Sequence, residues 1–160
     1  MLRLFVRGLR TAATKMAEAG PGYFQMGKDT PKVSMVMHAE NRQRVVARIL
    51  QDNPAAKNSF VLLHNGNQQS HHDTDHEHLF RPESNFNYLF GVHEPEFFGG
   101  IHVATNKSFL FMPRLHEDYA IWMGDILPAA HFKAKYAVDE VLYADEVEEG
   151  IRSTGADTIL

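Results

Sequence analysis

Short apolar runs of strand length alternate with helix-forming segments along this chain, and this alternation is the strongest constraint on its fold. Residues 59–63 form an apolar run that ends at the polar turn 64–67, and residues 97–103 and 108–112 flank a polar segment typical of a β-hairpin. The segments 37–50 and 128–136 predict helices. A hairpin is antiparallel, whereas helical crossovers favour parallel neighbours. The pattern therefore predicts an α/β fold with a mixed β-sheet flanked by helices.

Finer features of these elements can be predicted as well. In the helix 37–50 the apolar positions form one broad stripe, and the arginines, Arg42 among them, lie off it. A short strand at 141–143 precedes a helix that Asp145 is expected to cap and that continues to Ile151, with the acidic residues of 139–149 on its solvated face. Gly99 and Gly100 are expected to permit a close backbone approach or a bulge in the hairpin.

Composition places the chain among single-domain globular proteins. It has 160 residues, of which 44% are hydrophobic and 22% charged. With no cysteine there is no disulfide and no thiolate, so any metal would be held by His and carboxylate ligands. The net charge is −4, and because the first 15 residues are basic, residues 16–160 carry −8. This acidity argues against a nucleic-acid partner. No apolar run is long enough for a transmembrane helix, so we expect no membrane partner.

The first seventeen residues, MLRLFVRGLRTAATKMA, interleave apolar and hydroxyl residues with arginines and contain no acid. That composition is typical of an organellar transit peptide, and the alternative is an extension that carries no targeting signal. Met16 could serve as a second initiator, so the predicted location is mitochondrial or cytoplasmic. Residues 17–31 are rich in Gly, Ala and Pro and are expected to form an extended lead-in. The predicted division is therefore an N-terminal extension at 1–31 and a domain at 32–160.

Four histidines and three carboxylates lie within the eight residues His71 to His78. These side chains suit a divalent ion such as zinc, and in an extended conformation His72, His76 and His78 would share one face. The alternative is a solvated polar loop, because ligand-rich composition alone does not fix a coordination geometry. We assign no metal site to this segment.

The segment FRPESNFNYLFGV, residues 80–92, combines closely spaced aromatics with a single Arg, Glu and Ser. It resembles the FRQ[DE]SxFxYLTG signature of the N-terminal domain shared by creatinase, prolidase and aminopeptidase P. The resemblance extends over nearly the whole chain from Met16, through GPGYFQMG, AENRQR, LFMPRL, AIWMGDI and HFKAKYAVDEV in the same order, and the last two resemble the prolidase branch. Pro82 and Phe90 depart from the signature without adding a reactive group. Arg81, Glu83 and Tyr88 are expected to be structural, with Glu83 as the partner of the Arg81 guanidinium, because buried charges are normally paired; the alternative is direct contact with a ligand.

The resemblance implies the N-terminal, non-catalytic part of a two-domain metallopeptidase that hydrolyses Xaa-Pro dipeptides. In that family a C-terminal pita-bread domain holds two divalent metal ions, commonly manganese, on two Asp, one His and two Glu. The N-terminal domain supports a homodimer and restricts access to short proline-containing peptides. The final ADTIL, residues 156–160, suggests a strand cut short before the catalytic domain, so we expect the 160-residue chain alone to be inactive. The alternatives are an aminopeptidase P, which releases the residue before proline, and a stand-alone binding or assembly module.

Trp122 is the single candidate substrate-binding residue, and no catalytic residue is assigned. It is the only tryptophan of the chain. By resemblance it matches a family Trp that reaches toward the substrate site from the neighbouring subunit. The alternative is ordinary packing, because a lone Trp in an apolar stretch is usually part of a core or an interface.

Overall fold

A computed structural model of the chain describes residues 22–160. Its centre is a sheet of five strands: β3 Ser59–His64, β4 Phe98–His102, β5 Lys107–Met112, β6 Glu140–Tyr143 and β7 Thr158–Ile159. Across the sheet they lie in the order β6-β5-β4-β3-β7. The three central strands pair antiparallel, and the outer strands β6 and β7 each run parallel to their neighbour. The predicted α/β fold with a mixed sheet is confirmed.

Five α-helices and two 3₁₀ turns flank this sheet within residues 22–160. The helices are α1 Val36–Asp52, α2 Ser84–Phe90, α3 Tyr119–Met123, α4 Ala129–Tyr136 and α5 Val147–Ser153. The 3₁₀ turns are Pro54–Asn58 and Ala144–Glu146. The helices α1 and α4 were predicted within two residues at each end, whereas α2 and α3 were not predicted as helices. None of the helices in this range is long and apolar enough to span a membrane.

The segment predicted as a lead-in contributes to the fold from residue 22 onward. Strand β1, Tyr23–Phe24, pairs antiparallel with β2, Val33–Ser34. The Phe24 ring stacks on His93 with the ring centroids 4.5 Å apart, and Phe24 packs against the main hydrophobic cluster. The predicted targeting segment, residues 1–17, lies outside the described residues.

The sheet has a hydrophobic cluster on each face because side chains alternate along a strand. Phe109 and Phe111 of β5 belong to one cluster, and Leu110 and Met112 to the other. On β4 the paired glycines leave room for large rings. A Cβ at Gly100 would lie 2.3 Å from the Phe60 ring, and a Cβ at Gly99 would lie 2.4 Å from the Phe90 ring. The glycines thus serve the close approach that the sequence predicted, with aromatic rings of both faces as the neighbours.

One prediction about α1 is wrong, because Arg42 is buried, with only 4% of its surface exposed. Its guanidinium donates hydrogen bonds to the backbone oxygens of Leu89 (2.8 Å) and Ala137 (2.6 Å). Burial lowers the pKa of Arg42 to about 10, although the charge of Asp139 opposes this shift, so the group stays protonated at neutral pH. The C-terminal carbonyls of α2 need donors, and a long side chain from α1 supplies one of them.

The predicted pair of Arg81 and Glu83 is also absent from residues 22–160. Arg81 is exposed, and a carboxylate oxygen of Glu83 accepts a hydrogen bond from the backbone N–H of Phe86 at 2.8 Å, which caps α2. These backbone hydrogen bonds lower the pKa of Glu83. A carboxylate at a helix N-terminus satisfies an otherwise unpaired N–H, and here this interaction replaces the ion pair.

Asp145 does not cap the last helix as predicted. Glu146 instead accepts the backbone N–H of Tyr143 at 3.0 Å, and Asp145 forms an ion pair with Arg114. The chain then continues through α5 to β7, which pairs with β3 at the edge of the sheet.

Candidate functional site

The predicted substrate-binding residue, Trp122, lies on a projecting connection that we call the arm, residues 113–128 between β5 and α4. Its side chain is 83% exposed, and its neighbours Ile121 and Met123 are also largely exposed. Monomeric domains seldom expose adjacent large apolar side chains of this kind unless the surface binds a partner or ligand. Trp122 is therefore not part of the hydrophobic core of residues 22–160, and its assignment as a substrate-binding residue stays a prediction.

The local sequence explains the shape of the arm. Helix α3 has only five residues, because Gly124 follows it with φ +83, a conformation that ends the helix and favours glycine. Pro128 then precedes the first turn of α4. Pro113 and Pro128 thus bound a short helical excursion, with Trp122 near its tip.

Arg114 anchors the first residues of the arm to the end of β6. Its guanidinium lies 3.6 Å from the centroid of the Tyr143 ring. It also donates to Asp145 at 2.8 and 3.2 Å and to Glu146 at 3.0 Å. The hydrogen bonds to Asp145 raise the pKa of Arg114 and lower that of Asp145. Planar stacking and a forked donor are properties that lysine lacks, so arginine is specifically suited to this position.

A second cluster lies where the arm returns to the domain. Lys135 on α4 forms an ion pair with Glu94 at 2.6 Å, and the hydroxyl of the buried Tyr136 donates to the other oxygen of Glu94. Burial and the charge of Glu94 raise the pKa of Tyr136, which keeps its hydroxyl protonated. Burial would raise the pKa of Glu94, but the hydrogen bonds from Lys135 and Tyr136 outweigh it, so the pKa lies below its ordinary value.

One side of the arm lines an open cavity of about 430 Å³. Tyr119 and Met123 of α3 line this cavity, whereas Ile121 and Trp122 do not. Residues one helical turn apart lie on the same face, so the short helix separates an inner face from an outer one. The arm therefore presents two surfaces: one side of an open cavity, and an exposed apolar tip formed by Ile121 and Trp122.

The histidine-rich segment does not adopt the extended conformation that would align its alternate side chains. It turns back on itself, with the N–H of His71 donating to the backbone oxygen of His76 at 2.6 Å and His72 at φ +53. Within residues 22–160 no three His, Asp or Glu side chains are arranged as a metal site. The described residues around the arm thus provide exposed surfaces and a salt-bridge network. No metal-dependent step is derived from them.

Sequence reasoning missed the cluster of Glu94, Lys135 and Tyr136, and it missed Arg114 as an anchor. The segment HEPEF places two carboxylates around a proline just before a strand, and this pattern could have marked the loop. The partners of Glu94 lie 41 and 42 residues further along the chain, a separation at which no local pattern indicates a contact.

Residues 38–159 match the family described as the aminopeptidase P, N-terminal domain. Xaa-Pro dipeptidases from Pongo abelii and Homo sapiens are 45% and 44% identical over 145 residues, which is 90% of this chain and 29% of theirs. A solved Zn-substituted Escherichia coli aminopeptidase P in complex with product superposes with a TM-score of 0.65 at 23% identity, over 79% of this chain and 28% of that one. The chain thus spans less than a third of the length of these relatives.

Proposed function

This chain belongs to the family of the aminopeptidase P N-terminal domain, and from that membership we propose that it is the non-catalytic N-terminal domain of a metallopeptidase that hydrolyses Xaa-Pro dipeptides. The observation that carries the proposal is the similarity to Xaa-Pro dipeptidases along nine-tenths of this chain. A C-terminal domain of the same polypeptide would be its partner, because the dipeptidase relatives extend well beyond the matched region.

The metal ions would bind in that C-terminal domain. Its Asp, His and Glu side chains would hold two divalent ions, with manganese as the expected metal, and these would supply Lewis-acid activation of water for hydrolysis of the bond before proline. The residues described here offer no fitting ligand cluster, so this chain would contribute binding and positioning and no nucleophile. We expect the 160-residue chain to leave Xaa-Pro dipeptides intact with or without added manganese.

The arm would supply the contribution of this domain to substrate access. In a homodimer, the tip carrying Trp122 would lie against the neighbouring subunit and narrow the path to its active site, so that only short peptides pass. The exposed indole and its apolar neighbours support this role, because aromatic side chains of this size are the commonest anchors of protein interfaces.

The test uses the full-length enzyme encoded by the complete gene. Trp122→Ala should raise KM for Xaa-Pro dipeptides with little change in kcat, because a wall residue binds substrate and transition state alike. Tyr88→Ala is the matched control, since Tyr88 is a half-exposed aromatic outside the arm. Equal effects of the two substitutions on KM would contradict the role of the arm.

Substrate length distinguishes the two peptidase candidates. A dipeptidase cleaves Xaa-Pro, whereas an aminopeptidase P releases the first residue of longer peptides such as Xaa-Pro-Yaa. Cleavage of tripeptides but not of dipeptides by the full-length enzyme would replace the first assignment with the second. Absence of both activities in a metal-loaded full-length protein would favour the binding or assembly module.

A further inference from the structure

The backbone of the arm is not held by the sheet. Every residue from 114 to 128 is exposed. Within the described residues 22–160, the backbone hydrogen bonds of 115–127 join residues of the arm to one another, as from the N–H of Tyr119 to the oxygen of His116 (2.9 Å) and from the N–H of Gly124 to that of Ala120 (3.1 Å). The position of the arm relative to the domain therefore depends on side-chain contacts.

Arg114 makes the polar contacts that join the arm to the domain. In the part of the chain that the structure describes, no other side chain of 113–128 has a hydrogen bond or ion pair outside the arm. The pair of His116 and Asp118, for example, lies within it. The contacts of Arg114 with Tyr143, Asp145 and Glu146 thus form a single polar tether at the start of the arm.

The remaining contacts between the arm and the domain are apolar and loose. Leu115, Ile126 and Leu127 line the open cavity and are 37% to 41% exposed. Contact of this kind is non-directional, so it holds the arm near the domain without fixing its orientation. A guanidinium that stacks on a ring and donates to two carboxylates is directional, and it fixes the orientation of the segment that carries it.

The orientation of the arm determines where Trp122 is presented. Trp122 follows Arg114 by eight residues and lies in the short helix α3. If the arm took several orientations, the indole would be in its binding position for only a fraction of the time. The apparent affinity of a ligand falls in proportion to the fraction of molecules in the binding-competent conformation.

We propose that Arg114 is a positioning residue of the full-length enzyme, and that it sets the affinity for Xaa-Pro dipeptides by holding Trp122 in one orientation. The assignment rests on the proposed function, in which the arm narrows the path to the active site. Arg114 itself contacts no substrate, because its guanidinium is engaged by Tyr143, Asp145 and Glu146.

The experiment measures kcat and KM of the full-length enzyme with an Xaa-Pro dipeptide. If Arg114→Ala leaves the arm correctly placed in about a third of the molecules, KM should rise about threefold while kcat changes by less than about twofold. Arg152→Ala is the matched control, because it removes an exposed ion pair with Glu148 on α5 and should leave KM unchanged.

Arg114→Lys gives a second, milder test. It keeps the positive charge beside Asp145 and Glu146 but lacks the planar, forked donor that stacks on Tyr143. Its KM should lie between those of the wild type and Arg114→Ala. This variant also decides the question if the alanine variant fails to fold.

The double substitution Arg114→Ala with Trp122→Ala separates positioning from a direct or purely structural role. A residue that acts only through the indole has no further effect once the indole is gone. The double variant should therefore have the KM of Trp122→Ala alone, whereas independent roles would multiply the two increases.

The outcomes distinguish this inference from the proposed function. If Trp122→Ala raises KM and neither Arg114 variant does, the positioning role is overturned and the role of the arm stands. Multiplied increases in the double variant would overturn the positioning role as well. If Trp122→Ala leaves KM unchanged, the role of the arm in substrate access fails, and that of Arg114 fails with it.

Discussion

Replacement of Trp122 by alanine should lower the free energy of unfolding of this chain by only about 1 kcal/mol. The indole is 83% exposed, so folding removes only the remaining 17% of its surface from water. For a side chain that buries up to about 250 Å² when enclosed, this amounts to about 40 Å², or about 1 kcal/mol at about 25 cal/mol per Å². A buried Trp would instead lose about 3 to 5 kcal/mol on truncation.

Phe132→Ala is the matched comparison, because Phe132 lies at the base of the arm and is only 7% exposed. Its ring centroid lies 5.2 Å from that of Phe97 and 6.4 Å from that of Tyr136. Its truncation should cost about 3 to 5 kcal/mol. The two substitutions therefore differ in expected effect by at least about 2 kcal/mol, well above the error of a denaturation experiment.

The assay is urea denaturation of each variant followed by far-UV circular dichroism, since Trp122→Ala removes the only indole. Each curve is recorded at two protein concentrations. A loss above about 2 kcal/mol for Trp122→Ala that is independent of concentration would refute the reasoning and assign the residue to core packing. A loss that appears only at high concentration would show that the tip lies in an interface between copies of the chain.

Four further predictions follow from other parts of the molecule. Gly100→Ala should destabilise the domain by about 1 to 3 kcal/mol, since its methyl group would overlap the Phe60 ring. Gly27 has open space around it, so Gly27→Ala should change the free energy of unfolding by no more than about 0.5 kcal/mol in the same assay. The pKa of Glu94 is lowered in the folded state, so its stabilising contribution is present above its unfolded pKa and is lost as pH falls through the folded pKa. Glu94→Gln should therefore reduce the loss of unfolding free energy on acidification. An unchanged slope of stability against pH would contradict this role. Arg114→Ala should lower the fluorescence anisotropy of Trp122 by freeing the start of the arm, whereas Arg152→Ala, which removes only an exposed pair with Glu148, should not. A reporter fused to residues 1–25 should be imported into mitochondria, and a fusion that starts at Met16 should remain in the cytoplasm; diffuse signal from both would exclude the targeting role.

The arm and the two clusters at its base connect the fold to the proposed function. Arg114 fixes the first residues of the arm to β6 and the 3₁₀ turn, and Glu94 links α4 to the loop before β4. Both contacts join segments that the sheet brings together. A change at either cluster should therefore alter where the apolar tip is presented without altering the tip itself.

Local sequence patterns were sufficient to predict the class of fold and most of its regular elements. The continuous apolar runs of β3, β4 and β5 and the spacing of α1 are local signals, because a strand covered on both faces needs apolar side chains at successive positions and a helix needs them along one stripe. The paired glycines of β4 were also predicted correctly as a site of close approach, since only a residue without a side chain leaves room for rings on both faces. The motifs, which occur in the same order as in the family, indicated the family to which the chain belongs.

The burial of particular polar side chains and the exposure of Trp122 became known only from the folded chain. Arg42 lies inside because the carbonyls of two distant segments need a donor there, and Glu83 caps a helix instead of pairing with Arg81. Trp122 is exposed on the short helix of the arm, on the side that does not line the cavity. The partners of Arg42 lie 47 and 95 residues away, so no local pattern could specify its burial. The cap formed by Glu83 spans only three residues, but the choice between this cap and a pair with Arg81 depends on whether Arg81 is buried.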